Sequence, residues 1–596
     1  MTSLLGVCSF KDRVSYWDIK KISKVLAHAG SKDGMYSDSN VVMYSRINDK
    51  SKQPIVEDGI VLAYDGKFFD SDVFEKYEDY GEEFVNHIEG AVSFALWDSA
   101  KKILVLYKGK MGEKPLFFWE GKNEVVFCSE QKGILEYNGY NLDYDAEAVR
   151  NFLAFRYNYS NRTLFKGIKK VPAGCYAVFS KNGLEVKRHY KVKIKEDYSK
   201  SEKYLANKLR TLLLEAVEKR LEDKPVAAFL SGGVDSGGAV GLLKQFTDKI
   251  NTFSVGFAGY GFDELKRAKK TAEFYSTNHT EINLKPDVLK DFGKIVYALD
   301  EPMADLATVP NYFMSQYAKK RKLFNVFSGE NNDEVWGGYE EYVEVPNRMK
   351  VSRLFFPGFI GKKVVPSLIS VLPDSRVKTL IDHCDRYYDP IRCYNRMVNF
   401  YDEENLYTND FKSKVDISKK PKEEITKKYL KGSGSLNNRL LLKSLDYLSI
   451  HGYSVKADRM TRSFGLNYNM PLIDSSVVDF AFTVPFKYKV KKGVEKYLYR
   501  RALRDILPPS LLARKKRGFD VPTRLWIPEL KDVVMQFLDD KTLEKRGIFR
   551  KEYVHQLMRK ISNPNSVENQ DLWNMLVLEI WFRIYFEGMN PKKKIF

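Results

Sequence analysis

The residues best placed to do chemistry lie in one short stretch, Leu230-Ser231-Gly232-Gly233-Val234-Asp235-Ser236, directly after the apolar run Val226 to Leu230. That run reads as a buried strand, and Ala239, Val240, Leu242 and Leu243 just beyond read as a helix. A strand, a turn and a helix in that order leave the first N–H groups of the helix pointing into the turn, where they can hold an anion. Glycines let the backbone close around it, and the hydroxyls of Ser231 and Ser236 add donors. Asp235 repels a phosphate unless a cation stands between them, so the stretch suits a polyphosphate with Mg²⁺. It is not the G-x-x-x-x-G-K-[ST] loop, because no lysine follows the glycines. A Gly/Ser turn that merely ends a strand is the plainer alternative.

The chain that must position this stretch has 596 residues, enough for two or more domains with their own cores. Lys+Arg of 98 against Asp+Glu of 78 gives a net charge of +20, spread out apart from short clusters such as Arg514 to Arg517 and Lys592 to Lys594. The excess reads mostly as solvated surface and suits an anionic partner. Five cysteines (Cys8, Cys128, Cys175, Cys384 and Cys393) lie far apart without a C-x-x-C pair. That argues against a zinc ribbon or a disulfide framework and suits a reducing cytoplasm. No signal-peptide pattern opens the chain, and no run reaches about 18 apolar residues. The nearest, Leu354 to Leu372, carries Lys362, Lys363 and two prolines and reads as a packed helical hairpin.

Residues 1 to about 190 are strand-like, with short runs such as Val41–Tyr44, Ile60–Tyr64, Ala91–Leu96 and Ile103–Tyr107 between Gly, Asp and Asn. The charged segment Lys195 to Lys203 reads as a linker. Beyond it, helical patterns alternate with the brief strands Val226–Leu230, Thr252–Phe257 and Leu323–Phe327. That alternation predicts a parallel sheet wrapped by helices, with ligands at the carboxyl ends of its strands. From about 343 to 595 the pattern is almost wholly helical.

Further motifs follow the first loop in order: Phe253 to Phe257, Leu299-Asp300-Glu301-Pro302 with Asp305, and Ser328-Gly329-Glu330-Asn331-Asn332-Asp333-Glu334 leading into Gly337-Gly338-Tyr339. Then come Lys456-Ala457-Asp458-Arg459, Pro471-Leu472-Ile473-Asp474, Glu495-Lys496-Tyr497 and Lys516-Arg517-Gly518-Phe519-Asp520. Ser-Gly-Gly-Val-Asp-Ser is similar to the pyrophosphate loop of the ATP pyrophosphatases. The whole series resembles the synthetase half of the glutamine-dependent asparagine synthetases, a family that includes β-lactam synthetases and lasso-peptide cyclases. The resemblance covers nearly the whole chain. It implies an Ntn-hydrolase-like αββα sandwich over residues 1–193. Residues 204–596 would form a doubly wound parallel-sheet ATP pyrophosphatase domain with a large helical extension.

The resemblance also implies chemistry: a carboxylate becomes its acyl-adenylate, pyrophosphate leaves, and an amine attacks to form an amide. Asp235 and Asp333 would then hold Mg²⁺ against ATP, and Leu230, Ser231, Gly232, Gly233, Ser236, Ser328 and Gly329 would surround the nucleotide. Ser254, Val255, Gly256 and Phe257 would line the adenine pocket. Lys496 would stabilise charge on the phosphates and the tetrahedral intermediate, and Glu330 would orient or deprotonate the amine. Asp300, Glu301 and Asp305 read equally as functional residues or as purely structural ones that cap helices or pair with Arg459. Asp458 and Arg459 read as a buried ion pair.

The N-terminal half keeps the family's glutaminase frame in Phe94-Ala95-Leu96-Trp97-Asp98, Gly112-Glu113-Lys114-Pro115 and Phe127-Cys128-Ser129-Glu130. Its chemistry is altered. Active glutaminases of this kind begin Met-Cys-Gly, whereas this chain begins Met1-Thr2-Ser3. The family's Arg-Gly-Pro-Asp is Ala29-Gly30-Ser31-Lys32 here, and its Asn-Gly-Glu is Asp65-Gly66-Lys67. Thr2 could still act as an N-terminal nucleophile through its own amine, but the weightier reading keeps the fold without the activity. Where the family usually reads Leu-Glu-Val-Arg-Val-Pro, the chain reads Leu466-Asn467-Tyr468-Asn469-Met470-Pro471. The lost arginine puts recognition of aspartate in doubt.

The expectation is a cytoplasmic, ATP-dependent amide ligase that does not hydrolyse glutamine. Its substrates would be a small-molecule or peptide carboxylate and an amine or ammonia, with no nucleic acid and with a homodimer as one option for assembly. Three alternatives stand beside it. One is a glutamine-hydrolysing asparagine synthetase using aspartate. Another is an RNA-modifying ATP pyrophosphatase, which the missing C-x-x-C and RNA-binding module disfavour. The last is a non-catalytic partner subunit, which the presence of Asp235, Asp333 and Lys496 disfavours.

Overall fold

The computed structural model describes residues 2–342 and 402–595 apart from segments at 11–13, 15–18, 20–21, 48–51, 71, 223, 258–263, 340–341, 515–520 and 564–567. The expected hairpin at Leu354 to Leu372, Cys384, Cys393 and the Lys516 to Asp520 motif therefore lie outside the described residues.

Among the described residues the strands form three sheets, two of them six-stranded and antiparallel in the N-terminal half. The first is built around Ser3–Ser9, Val41–Ile47 and Glu124–Cys128, the second around Ile60–Phe68, Gly90–Asp98 and Ile103–Lys108. Their inner faces share one core, in which Leu4, Val41 and Phe127 of the first sheet meet Val61, Trp97 and Leu106 of the second. Helix Val73–Tyr80 covers the outer face of the second sheet through Val73 and Tyr77. Helix Ala146–Phe155 and the turn Gln131–Leu135 cover the outer face of the first through Phe152 and Ile134. The layering is the expected αββα sandwich. Central strands such as Gly90–Asp98 are buried on both faces, so they read as apolar runs and not as alternation.

The C-terminal half is organised on a five-stranded parallel sheet. Its strands are β1 (Val226–Phe229), β2 (Ile250–Phe257), β3 (Asn278–Leu284), β4 (Asn325–Phe327) and β5 (Asn467–Asn469), in the spatial order β3-β2-β1-β4-β5. The order reverses between β1 and β4, so the loops leaving their carboxyl ends diverge and open a crevice. The sequence reading missed β3 and β5 because neither is an apolar run: β3 begins Asn-His-Thr and β5 is Asn-Tyr-Asn. Around the sheet lie α1 (Glu202–Glu218), α2 (Val234–Leu243), α3 (Glu264–Phe274), α4 (Thr308–Lys320), α5 (Asn332–Trp336), α6 (Ser454–Arg462), α7 (Tyr497–Ala502) and α8 (Glu568–Phe586). Ser201 caps α1 by accepting from the Tyr204 N–H at 3.2 Å. Every residue of α2 is buried, and its glycines admit close neighbours. A Cβ on Gly238 would stand 2.1 Å from the Tyr499 hydroxyl of α7. No described helix is long and apolar enough to cross a membrane.

Candidate active site

The crevice between β1 and β4 holds a cavity of about 330 Å³. Its floor is the turn Ser231 to Ser236. Gly232 sits at φ +68°, and a Cβ there would come within 2.8 Å of the Ala268 nitrogen of α3, which is why the turn needs glycine. The Ser231 and Ser236 hydroxyls lie 3.1 Å apart, and the Ser231 N–H donates to Ser236 Oγ at 3.2 Å. On the other wall Ser328-Gly329-Glu330 leaves β4. A Cβ on Gly329 would lie 2.4 Å from the Asp235 carbonyl, so the two loops meet backbone to backbone.

Three distant motif residues converge here. Lys496, 1% exposed at the start of α7, pairs with Asp235 and lies 2.5 Å from Asp333 Oδ1. Asn332 Nδ2 donates to the other oxygen of Asp235 at 2.6 Å. A Cβ on Gly338 would meet Asp333 Oδ1 at 1.8 Å and Lys496 Cε at 2.1 Å, so this glycine makes room for the cluster. Among the described residues no group of three or more His, Cys, Asp or Glu could hold a metal unaided. Two carboxylates gathered around one cation nevertheless fit Mg²⁺, which commonly takes one or two protein carboxylates and completes its shell with phosphate oxygens and water.

Of the expected residues, Leu230, Ser231, Asp235, Ser236, Val255, Ser328, Gly329, Glu330 and Asp333 line the cavity. Gly232 and Gly233 shape the turn instead, Gly233 as the N-cap of α2. Val255 is the one residue of the Ser254 to Phe257 segment in the wall. Ser254 donates to the Leu230 carbonyl, Gly256 packs on Leu265, and the Phe257 ring lies 5.5 Å from Trp526.

At the far end Lys456 Nζ stands 3.0 Å from Asp305 Oδ2 and 3.9 Å from Glu330 Oε1. Burial would lower the Lys456 ammonium, but Asp305 and Glu330 outweigh it and raise it above its ordinary value. Glu330 also accepts from Asn311 Nδ2 at 3.3 Å and from the Tyr468 hydroxyl at 2.9 Å. Burial first, then Glu330, raises the Tyr468 phenol, so it stays a donor. Sequence reasoning gave Lys456, Asn332 and Tyr468 no role. The available signal was Tyr468 itself, which stands where the family pattern has a valine.

The structure also places the remaining motif residues, and it corrects the pairing of Asp458 with Arg459. Asn467 and Asn469 face away from the cavity, because side chains alternate along β5 and Tyr468 takes the face toward Glu330. Asn469 Nδ2 donates to Asn325 Oδ1 at 2.6 Å, within the sheet. Asp458 and Arg459 do not pair, since neighbours on a helix point apart. Asp458 instead meets Arg462 one turn on at 3.0 Å and Lys114 at 3.2 Å, while Arg459 lies 3.3 Å from Asp300. Asp305 pairs with Lys456, and Glu301 with Lys170 at 2.9 Å.

Thr2 lies apart from this crevice and is buried. Its N–H donates to Asp65 Oδ1 at 3.4 Å, and Gln53 Nε2 donates to its hydroxyl at 3.5 Å. Arg462 reaches in from α6. It pairs with Asp65 and donates to the Thr2 carbonyl at 3.3 Å and to Ser3 Oγ at 3.2 Å. A buried polar chain then runs through Asp458 to Lys114, which donates to Asn467 Oδ1 at 3.0 Å beside Tyr468.

A glycine-rich turn at the switch point of a parallel sheet, joined to an αββα sandwich, defines a two-domain α/β architecture. The Asparagine synthase family model matches residues 208–583, and a Glutamine amidotransferase domain model matches residues 69–191. The chain belongs to the asparagine synthase family, and it is an ATP-dependent ligase forming carbon–nitrogen bonds. Asparagine synthetase [glutamine-hydrolyzing] 1 of Bacillus subtilis is 28% identical across 97% of this chain and 96% of its own length. A putative asparagine synthetase [glutamine-hydrolyzing] of Mycobacterium tuberculosis is 26% identical across 89% and 81%. The amidase chry2 of Gibberella zeae is 28% identical across 45% and 43%.

Proposed function

We propose that this ligase adenylates a carboxylate with ATP and joins it to an amine or to ammonia without hydrolysing glutamine. The carrying observation is a contrast inside one chain. Asp235, Asp333 and Lys496 converge beside an open cavity, while Arg462 occupies the polar surroundings of Thr2.

The turn Ser231 to Ser236 binds phosphate oxygens through its N–H groups and hydroxyls. Asp235 and Asp333 would hold Mg²⁺, which would supply charge neutralisation for the phosphates. Lys496 adds a fixed positive charge where negative charge develops. A carboxylate oxygen attacks the α-phosphorus and pyrophosphate leaves; the amine nitrogen then attacks the carbonyl carbon and AMP leaves. Glu330 takes the proton shed by that nitrogen, with its carboxylate held by Tyr468 and Asn311. Lys456, fixed by Asp305, offers a cation to the acyl oxygen.

The test is release of pyrophosphate and AMP by purified protein given ATP, Mg²⁺ and panels of acid and amine pairs, with and without glutamine. Pyrophosphate without glutamate production is the expected result. Glutamate formed from glutamine in step with pyrophosphate would overturn it in favour of a glutamine-hydrolysing synthetase.

A further inference from the structure

A second cavity, of about 30 Å³, lies between the two halves of the chain. Lys108, Gln131 and Lys170 wall it on one side, and Glu301, His451 and Arg459 on the other. A space of that size holds about two waters. Its lining includes donors that lack an acceptor. Lys108 ends the strand Ile103–Lys108 and is 6% exposed, and among the described residues its ammonium has neither a hydrogen bond nor an ion pair. Arg459, 1% exposed, uses Nη2 on the Ser129 carbonyl at 2.9 Å, but its Nε and Nη1 make no hydrogen bond among the described residues. The guanidinium also lies 3.3 Å from Asp300 through Nη2 and 3.6 Å from Glu130 through Nη1.

The remaining groups point the same way. Burial, then Lys170 and Lys108, hold the His451 ring well below its ordinary value, so it is neutral and carries one N–H. Gln131 Oε1 has no partner among the described residues, and the amide can present its NH2 by turning over. Glu301, the carboxylate in this wall, is already engaged. It accepts from the Leu164 N–H at 2.7 Å and from Asn158 Nδ2 at 3.0 Å, and pairs with Lys170 at 2.9 Å. A buried ammonium with no counter-charge is costly.

We propose that this cavity is a binding site for a small inorganic anion of the halide class, held by Lys108, Arg459 and His451. Because these residues come from both halves, the anion fastens the two halves together. Burial first, then the neighbouring cations Lys170 and Arg459, push the Lys108 ammonium down to about 7, and a bound anion opposes that shift. The cavity shares no lining residue with the ligase crevice, so the two sites are distinct.

The test uses the full chain. Crystals grown with bromide as the halide should show anomalous density beside Lys108 Nζ. In solution, replacing gluconate by chloride at constant ionic strength should raise the unfolding midpoint saturably. The rise should vanish in Lys108→Met, and also in Lys108→Gln should the first variant not fold. Absence of bromide density in the cavity, or an equal chloride shift in wild type and both variants, would overturn the assignment.

Discussion

Two buried charge clusters flank helix α6 and use the same residue types to opposite ends. In the crevice, Asp235 and Asp333 share the ammonium of Lys496 beside an open cavity, with Lys456 of α6 at its far end. In the N-terminal cluster, Asp65 and Asp458 share the guanidinium of Arg462, four residues along from Asp458 on α6. Arg462 spends its remaining N–H capacity on Thr2 and Ser3. The first cluster presents its groups to a space where a ligand can stand, and the second has closed on itself.

Removing a charge from each cluster should break different properties. Arg462→Met leaves Asp65 and Asp458 buried beside an apolar chain and should cost about 3–5 kcal/mol of stability, read by denaturant titration. Pyrophosphate release per folded molecule should stay near wild type. Asp235→Asn should do the reverse, lowering pyrophosphate release about 10²–10³-fold with the unfolding midpoint nearly unmoved. Thr2→Ala should leave release unchanged. A large loss of release in Thr2→Ala would show that the N-terminal cluster takes part in the reaction.

Much of this contrast is legible in the sequence, and the unread part has physical causes. The Ser231 to Ser236 turn reads directly because an apolar strand, glycines and a helix are contiguous. Asp333 and Lys496 come into view through motifs, although their meeting with Asp235 depends on how β4 and α7 return to β1. Strands β3 and β5 escape detection because polar strands give no apolar signal. The pairing of Asp458 is misread because adjacency in sequence means divergence on a helix. Arg462 escapes notice because its partners Asp65 and Thr2 lie in the other half of the chain.

Tyr468→Phe probes the link between the clusters, since Tyr468 touches Glu330 while its backbone lies beside Lys114. Losing one hydrogen bond to the carboxylate should lower kcat up to about 10-fold, for a contact worth about 1 kcal/mol. KM for ATP should not change. A selective rise in that KM would instead assign Tyr468 to nucleotide binding.

The smallest effect is a pH dependence confined to the closed cluster. Burial would raise the Asp458 carboxyl, but Arg462 and then Lys114 outweigh it and hold it below the usual range. A carboxyl whose value is lower in the folded than in the unfolded chain contributes stability that is fully present above the unfolded value of about 3.9. That contribution drains away as pH falls through the folded value. Wild type should therefore lose its stability advantage over Asp458→Asn below about pH 4, at up to about 1.4 kcal/mol per pH unit. Urea midpoints for the two proteins between neutral and acid pH give the measurement. If the two curves stay parallel below pH 4, Arg462 is not holding the Asp458 carboxylate, and the cluster around Thr2 is looser than the one around Lys496.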